Sequence, residues 1–306
     1  RIKTSSPLLS KEIFDTVLTF GDPKNARFEH YYCYETFATT FDNDLEKTLE
    51  LLANNVVNRV KEGIRIIILD DRSISSTHKT MPMAMVVGRL NERLKDEGIR
   101  HLASMIAVTG EVHDPHSAAV MLGYGASAIY PYLLYATIVD MLQDKRPYEV
   151  KKTLKKVTHA IDMGLLKILS KMGIATVASY RHSGLFDVIG LSHDVMKKCF
   201  ARSEVLLPGL GFSDVEERIV NQHLKAYDEK AMNSLVPVEI GGYYKYTRNG
   251  EFHDYSPTTV HAIHKASMTK DENDYEALKD LVDNRGQKMI RDFLEFKPSQ
   301  SIPLSE

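Results

Sequence analysis

From Asp42 onward, apolar residues return at three- and four-residue spacing. Leu45, Leu49, Leu52, Val56, Val57 and Val60 make one face of a helix, and Gly63 stands where it ends. The next run, Ile64-Arg65-Ile66-Ile67-Ile68-Leu69, is short, apolar and β-branched and stops at Asp70-Asp71-Arg72, as a buried parallel strand does. The same unit recurs. Residues 83–97 read as a helix ending at Gly98 and His101 to Thr109 as a strand; residues 114–122 read as a helix ending at Gly123 and Ala126 to Tyr130 as a strand. A helix near Leu133–Leu142, a long amphipathic one from Tyr148 to Met172 and a short strand over Ile174–Ala178 follow. Strands separated by helices of this length need crossover connections, which build a parallel sheet with flanking helices. The fold class is therefore α/β.

The flanks are less regular. Residues 1–42 read as an irregular linker segment with turns at Ser6-Pro7 and Asp22-Pro23, an aromatic-rich run from His30 to Phe37 and room for one strand. Residues 43–200 form the βα core. After Leu191 the periodic signal weakens, and residues 200–250 carry many turn residues; Gly241 to Tyr246 reads as a strand entered from a turn. Ser256-Pro257 then opens a helix that runs to Lys270, and another spans 273–285, giving a mixed, mainly helical extension over 201–295. Residues 296–306, rich in Pro and Ser, read as a linker.

Composition narrows the function classes. A net charge of -2 and 26% charged residues supply no electrostatic footprint for nucleic acid or an anionic membrane, and no apolar run is long enough to span a bilayer, so a cytoplasmic location is expected. The two cysteines, Cys33 and Cys199, are too far apart for a CxxC pair or zinc ribbon and too few for an iron–sulfur cluster. The chain begins at Arg1 without Met, which points to processing or excision from a longer polypeptide.

Three clusters invite chemistry. Gly123-Tyr124-Gly125-Ala126 has the glycines of a phosphate loop but follows a helix and precedes a strand, the wrong order for an anion at a helix N-terminus, and reads as a helix cap and turn. Glu111-Val112-His113-Asp114-Pro115-His116 places four metal-ligating side chains past a strand end, yet Pro115 sits where a helix starts, so Asp114 equally reads as its cap. Asp70-Asp71-Arg72 offers paired carboxylates for a cation or for acid and base roles, against a strand-ending turn in which one carboxylate pairs with Arg72. No serine-nucleophile elbow, His-Glu-x-x-His helix or Walker lysine loop occurs.

Several segments, in order, resemble the central region of the large subunit of bacterial and plastid glutamate synthases. Leu69-Asp70-Asp71-Arg72 and Met81-Pro82-Met83 are similar to a family strand ending in Ser-Asp-Arg and the proline-led helix after it. Leu122-Gly123-Tyr124-Gly125-Ala126-Ser127-Ala128-Ile129-Tyr130-Pro131-Tyr132-Leu133 is similar to a second family segment. Gly164 to Ile174, with Ser179-Tyr180-Arg181 and Phe186, resembles the family's most recognisable stretch. Ile290 to Lys297, with Ile302-Pro303-Leu304, is similar to the segment that leads into the flavin domain. Departures from the pattern are Ser127 in place of Asp, Tyr130 in place of Asn or Cys, and His182-Ser183-Gly184-Leu185 in place of a Gly-Ala-Gln-Ile-like tetrad.

The resemblance implies an incomplete or degenerate (β/α) barrel-like arrangement. It also implies a parent enzyme in which a cysteine-nucleophile glutaminase domain releases ammonia, and a barrel carrying FMN and an iron–sulfur cluster uses it to make glutamate from 2-oxoglutarate. Arg1 stands where the glutaminase needs its cysteine, the thiolates for a cluster are lacking, and the chain stops at Glu306 where the flavin domain is expected. The expectation is a central connecting domain without catalytic, cofactor-binding or metal residues of its own, partnered by the glutaminase and FMN-binding domains, with Ser179, Tyr180 and Arg181 at an interdomain interface. Its rivals are a stand-alone barrel-type metal- or phosphate-dependent enzyme using Asp70, Glu111, His113 and His116, and a ligand-binding module that has lost catalysis.

Overall fold

Four parallel strands carry the architecture: β1 (Tyr34–Ala38), β3 (Ile66–Asp70), β5 (Ser104–Val108) and β6 (Ala128–Tyr130). They lie side by side in that order, Phe37 opposite Leu69, Leu69 opposite Ala107 and Ala107 opposite Ile129. Two short segments, β2 (Thr40–Phe41) and β4 (Lys79–Thr80), pair antiparallel beside them. The computed structural model describes residues 2–21, 32–228, 245–284 and 290–295, in two units, Arg1–Ala231 and Met232–Glu306.

A sheet whose strands follow one another in sequence order, with right-handed crossovers, sends successive helices to the same face. That is seen here. Helices α2 (Leu45–Lys61), α3 (Met83–Asp96) and α4 (Pro115–Gly123) bury Leu49, Val56, Val60, Leu90 and Ala119 against Ile67, Leu69, Met105 and Ala107. Side chains alternate along a strand, so Ile66, Ile68, Ile106, Val108 and Tyr130 face the other way. In a closed barrel they would point inward. Here α1 (Lys11–Phe20) covers them with Phe14 and Val17, joined by Tyr135 of α5 (Tyr132–Met141). Residues 7–9 run parallel to β6 and bond it, Leu9 N–H to the Ile129 carbonyl and Ile129 N–H to the Pro7 carbonyl, both at 2.8 Å. The result is an α/β half-barrel whose inner face is filled by an N-terminal helix. The segment read as irregular thus holds the expected strand and also α1, whose Ser10 cap and Phe14–Val17 spacing are its local signals.

The helices read from periodicity are present, including the long α6 (Pro147–Lys171). The strand expected over Ile174–Ala178 is not. The chain instead makes one helical turn, α7 (Val177–Tyr180): the Thr176 hydroxyl accepts from Ser179 N–H at 3.3 Å, no strand among the described residues pairs with this segment, and Ile174 and Val177 pack against the core as side chains.

Beyond Tyr180 the structure is richer than its sequence pattern: β7 (Asp187–Leu191), α8 (His193–Cys199), β8 (Glu204–Leu210) and α9 (Phe212–Ala226). β7 and β8 pair parallel, with register shifts around Gly190, whose φ of 85° is open to glycine. The shifts break the alternation by which a strand is recognised. Helix α9 then reaches back. The Glu216 carboxylate accepts from Asp44 N–H at 3.0 Å and Leu45 N–H at 2.9 Å, capping α2 from a distance, and His223 meets the Ser76 carbonyl at 3.1 Å.

The second unit contains α10 (Pro257–Thr269), capped by Ser256, and α11 (Glu272–Asp283), capped by Asp271. They are tied by Lys265 to Asp274 at 2.7 Å. The turn at Asp22-Pro23, the strand read over Gly241–Tyr246 and the linker 296–306 fall wholly or mainly outside the described residues.

Candidate functional site

The carboxyl ends of parallel strands are where α/β folds usually place chemistry, and here they gather Asp70, Asp71, Thr109 and Glu111. Asp70 is clamped by Arg72: Nε lies 2.9 and 3.0 Å from its two oxygens, Nη2 lies at 2.6 Å, and the Arg72 amide donates at 2.9 Å. One carboxylate of the Asp-Asp pair is thus neutralised locally. Asp71 turns inward and is almost fully buried; its Oδ2 accepts from the Thr109 hydroxyl at 2.6 Å and the Gly110 amide at 3.0 Å, tying the end of β3 to the end of β5. Burial pushes Asp71 above the usual carboxylate range, with these hydrogen bonds opposing the shift. Burial also raises the neighbouring Tyr132 hydroxyl, and the Asp71 charge adds to it.

Glu111 is exposed as a residue, and its carboxylate accepts from the Met83 amide, with both oxygens at 3.1 Å. Helix α3 begins after Pro82, which has no side chain to cap it, and Glu111 supplies the missing acceptor. Enclosure of that carboxylate pushes it up to about 7, the nearby Asp71 charge acting in the same direction. Two carboxylates with raised affinity for protons at a strand end resemble an acid–base pair, but each is engaged in holding a backbone amide.

The rest of the Glu111–His116 cluster disperses. Asp114 caps α4, accepting from Ser117 N–H at 2.6 Å, and is held below the usual range by that bond. The His113 ring meets the Glu111 carbonyl at 3.0 Å, and His116 is exposed. Among the described residues no three His, Cys, Asp or Glu side chains are grouped as a metal would require. Asp70, Glu111, His113 and His116, the residues of the rival enzyme reading, are therefore not brought to one centre. Gly123-Tyr124-Gly125-Ala126 ends α4: Gly125 N–H bonds the Leu122 carbonyl and Ala126 N–H the Met121 carbonyl, with Gly125 at φ 127°.

Ser179 is exposed on α7. Tyr180 is buried, its ring edge-on to Phe186 with centroids 6.1 Å apart. Arg181 is half-buried and donates to the Ser127 hydroxyl at 3.1 Å.

That contact belongs to the amino ends of the strands, where sequence reading marked only Arg181, as an interface residue. Arg65 enters β3 and donates from Nη1 to the Val60 and Ile64 carbonyls, both at 3.1 Å. Arg100, before β5, is mostly buried. It donates to Asn91 Oδ1 at 2.7 Å, the Ala103 carbonyl at 2.6 Å and the Gly125 carbonyl at 2.8 Å, all neutral acceptors. Burial and the charge of Arg181 press it down to about 10. Asn91 also donates to His182 Nδ1 at 2.9 Å; His182 has φ 63° and a neighbour in Glu92, 3.2 Å from Nε2. Burial lowers the imidazole more than Glu92 raises it. The advance signals of this end were Arg181, read as an interface residue, and the departures at Ser127 and His182.

A family model described as glutamate synthase central domain matches residues 1–192. Among curated relatives, the glutamate synthase (NADPH) large chain of Bacillus subtilis is 29% identical over 299 residues, 97% of this chain and 19% of the relative. Ferredoxin-dependent glutamate synthase 1, chloroplastic/mitochondrial, of Arabidopsis thaliana is 31% identical over 310 residues, 95% of this chain and 19% of the relative. The ferredoxin-dependent glutamate synthase of Cyanidium caldarium is 32% identical over 325 residues, 100% of this chain and 20% of the relative. The chain thus spans about a fifth of the length of these relatives. Among solved structures, a mutant flavocytochrome b2 with benzoylformate superposes with a TM-score of 0.36 at 10% identity, covering 56% of this chain and 43% of that chain, too slight a likeness to bear on the fold.

Proposed function

The chain belongs to the glutamate synthase central domain family, and on that premise we propose that it serves as the connecting domain of a glutamate synthase large subunit. It holds a glutaminase domain and an FMN-binding domain in place and lines part of the route that ammonia takes between them. The parent reaction converts glutamine, 2-oxoglutarate and reductant into two molecules of glutamate. The observation that carries the reading is the family match over residues 1–192. The ties at the strand ends support the non-catalytic part: Asp70 holds a guanidinium, Asp71 Oδ2 a hydroxyl and an amide, and Glu111 an amide.

FMN and an iron–sulfur cluster belong to the parent enzyme, and the residues of this chain do not fit a cluster. It has two cysteines, and burial pushes the Cys199 thiol up to about 12, far from the thiolate a cluster takes. The described residues include no helix long and apolar enough to cross a membrane. A cytoplasmic location is part of this reading for a bacterial parent; several relatives are named chloroplastic.

The expected interdomain surface centres on exposed Ser179 and the accessible part of Arg181, while Tyr180 braces the turn from within. Assayed with glutamine, 2-oxoglutarate and a reduced donor, the purified full chain should form no glutamate and carry no flavin; stoichiometric flavin overturns the reading. Ser179→Arg should reduce capture of a co-expressed FMN-binding domain without changing the melting temperature, and undiminished capture removes Ser179 from the interface.

A further inference from the structure

His182 sits on the turn that leaves α7, yet its ring is held by α3. Nδ1 faces the Asn91 side-chain amide at 2.9 Å, and Nε2 faces Lys95 Nζ at 2.5 Å and Glu92 Oε1 at 3.2 Å. Which end of the Asn91 amide meets the ring is decided by its other contact. Arg100 Nε lies 2.7 Å from Oδ1, and a guanidinium can only donate, so Oδ1 accepts there and the Asn91 NH2 is left for the imidazole. The amide has no room to swing. It is buried, and Gly125 packs so close that a Cβ there would lie 2.7 Å from Oδ1. Nδ1 must therefore be bare, the ring proton sits on Nε2, and Glu92 is its acceptor.

This arrangement suits a neutral ring and no other. A second proton would sit on Nδ1 and point at the Asn91 NH2, donor against donor, and turning the amide round would move the clash to Arg100. The surrounding charge opposes it as well. Lys95 from α3, Arg100 before β5 and Arg202 beyond α8 outnumber Glu92, while Tyr124 and Cys199, which line the same crevice, stay neutral because burial raises both. The His182 side chain is 19% exposed, so a proton reaches it from solvent. We propose that Asn91 and His182 form a proton-operated latch, closed while the imidazole is neutral and opened when it is protonated, which releases the ring from α3 and loosens the turn 181–184. The turn then keeps two backbone ties, His182 N–H to the Gly123 carbonyl and Arg202 to the His182 carbonyl. The latch does not depend on the connecting role proposed above.

The test follows amide hydrogen exchange of the turn in the full chain by mass spectrometry, with rates corrected for the intrinsic effect of pH. The His182 N–H, bonded to the Gly123 carbonyl at 2.6 Å, reports closure. The folded imidazole lies below the ordinary value of 6.5, so closure is complete above that value and lost as pH falls. Protection should drop about tenfold between about pH 7.5 and about pH 5, the equivalent of one hydrogen bond lost. The direction is opposite to that of Glu111, whose proton favours the folded chain, so Glu111 cannot produce it. Asn91→Asp sets an acceptor against both Arg100 and an Nδ1–H and should keep the turn protected at about pH 5. His182→Gln removes the titrating group and should show the same protection at every pH. The proposal is overturned if wild-type protection does not change with pH, if His182→Gln keeps the wild-type dependence, or if Asn91→Asp opens on acidification as wild type does. Should Asn91→Asp fail to fold, His182→Gln decides alone.

Discussion

The two ends of the parallel sheet are built from the same kind of strand but handle charge in opposite ways. At the carboxyl end the charges are negative and tied to neighbours: Asp70 to Arg72, Asp71 through Oδ2 to Thr109 and Gly110, Glu111 to Met83. At the amino end they are positive and held by neutral groups, Arg65 and Arg100 by carbonyls and an amide, with a cavity beside Arg65. Charged residues at a strand end therefore do not by themselves mark a site. The carboxylates that look most like chemistry in the sequence act as ties between backbone segments. The arginines that carried no motif hold backbone carbonyls and a side-chain amide.

The contrast can be tested first where most is at stake. Arg100→Met leaves Asn91 Oδ1 and the Ala103 and Gly125 carbonyls without their donor and should cost about 3 kcal/mol in chemical denaturation; a loss near zero would mean that these acceptors find water. Asp71→Ala should cost about 2 kcal/mol by freeing the Thr109 hydroxyl and Gly110 amide. A variant as stable as wild type would remove the tie between β3 and β5.

Glu111 sharpens the comparison through pH. Its folded value, about 7, lies above the ordinary carboxylate value, so the folded chain holds this proton more tightly than the unfolded chain does. The contribution to stability is complete below about pH 4 and is lost as pH rises through about 7. Asp71, also raised, acts in the same direction. Glu111→Gln keeps an acceptor for Met83 and should gain on wild type as pH increases, flattening the curve of melting temperature between about pH 5 and 8; parallel curves would place the carboxylate in a water-like setting. The smallest effect is expected for Arg65→Gln, within about 0.5 kcal/mol of wild type. A larger loss would make Arg65 chiefly a cap for the end of α2.

The candidate site was legible only in part. Asp114 as a cap, Gly125 as a helix-ending turn and Asp70 beside Arg72 follow from local spacing, and each is seen. The inward turn of Asp71 and the reach of Glu111 to α3 were not, since their partners stand on other elements. The elements after Tyr180 were missed for a different reason. Gly190 and the register shifts beside it erase the two-residue period of β7, whereas Phe212, Val215, Ile219 and His223 did carry the helical spacing of α9.

Local pattern determined the α/β class and the alternation of helices and buried parallel strands from α2 through α6, while the resemblance of ordered segments pointed to the family. The class and the alternation depend on propensity and periodicity, which neighbours along the chain decide. Only the tertiary structure decided how the amino end of the sheet is furnished: α1 fills the face a barrel would enclose, and Arg65, Arg100 and Arg181 converge from three separate segments. A charge acquires its partner, or its cavity, only when the chain returns through space, and no spacing along the sequence encodes that return.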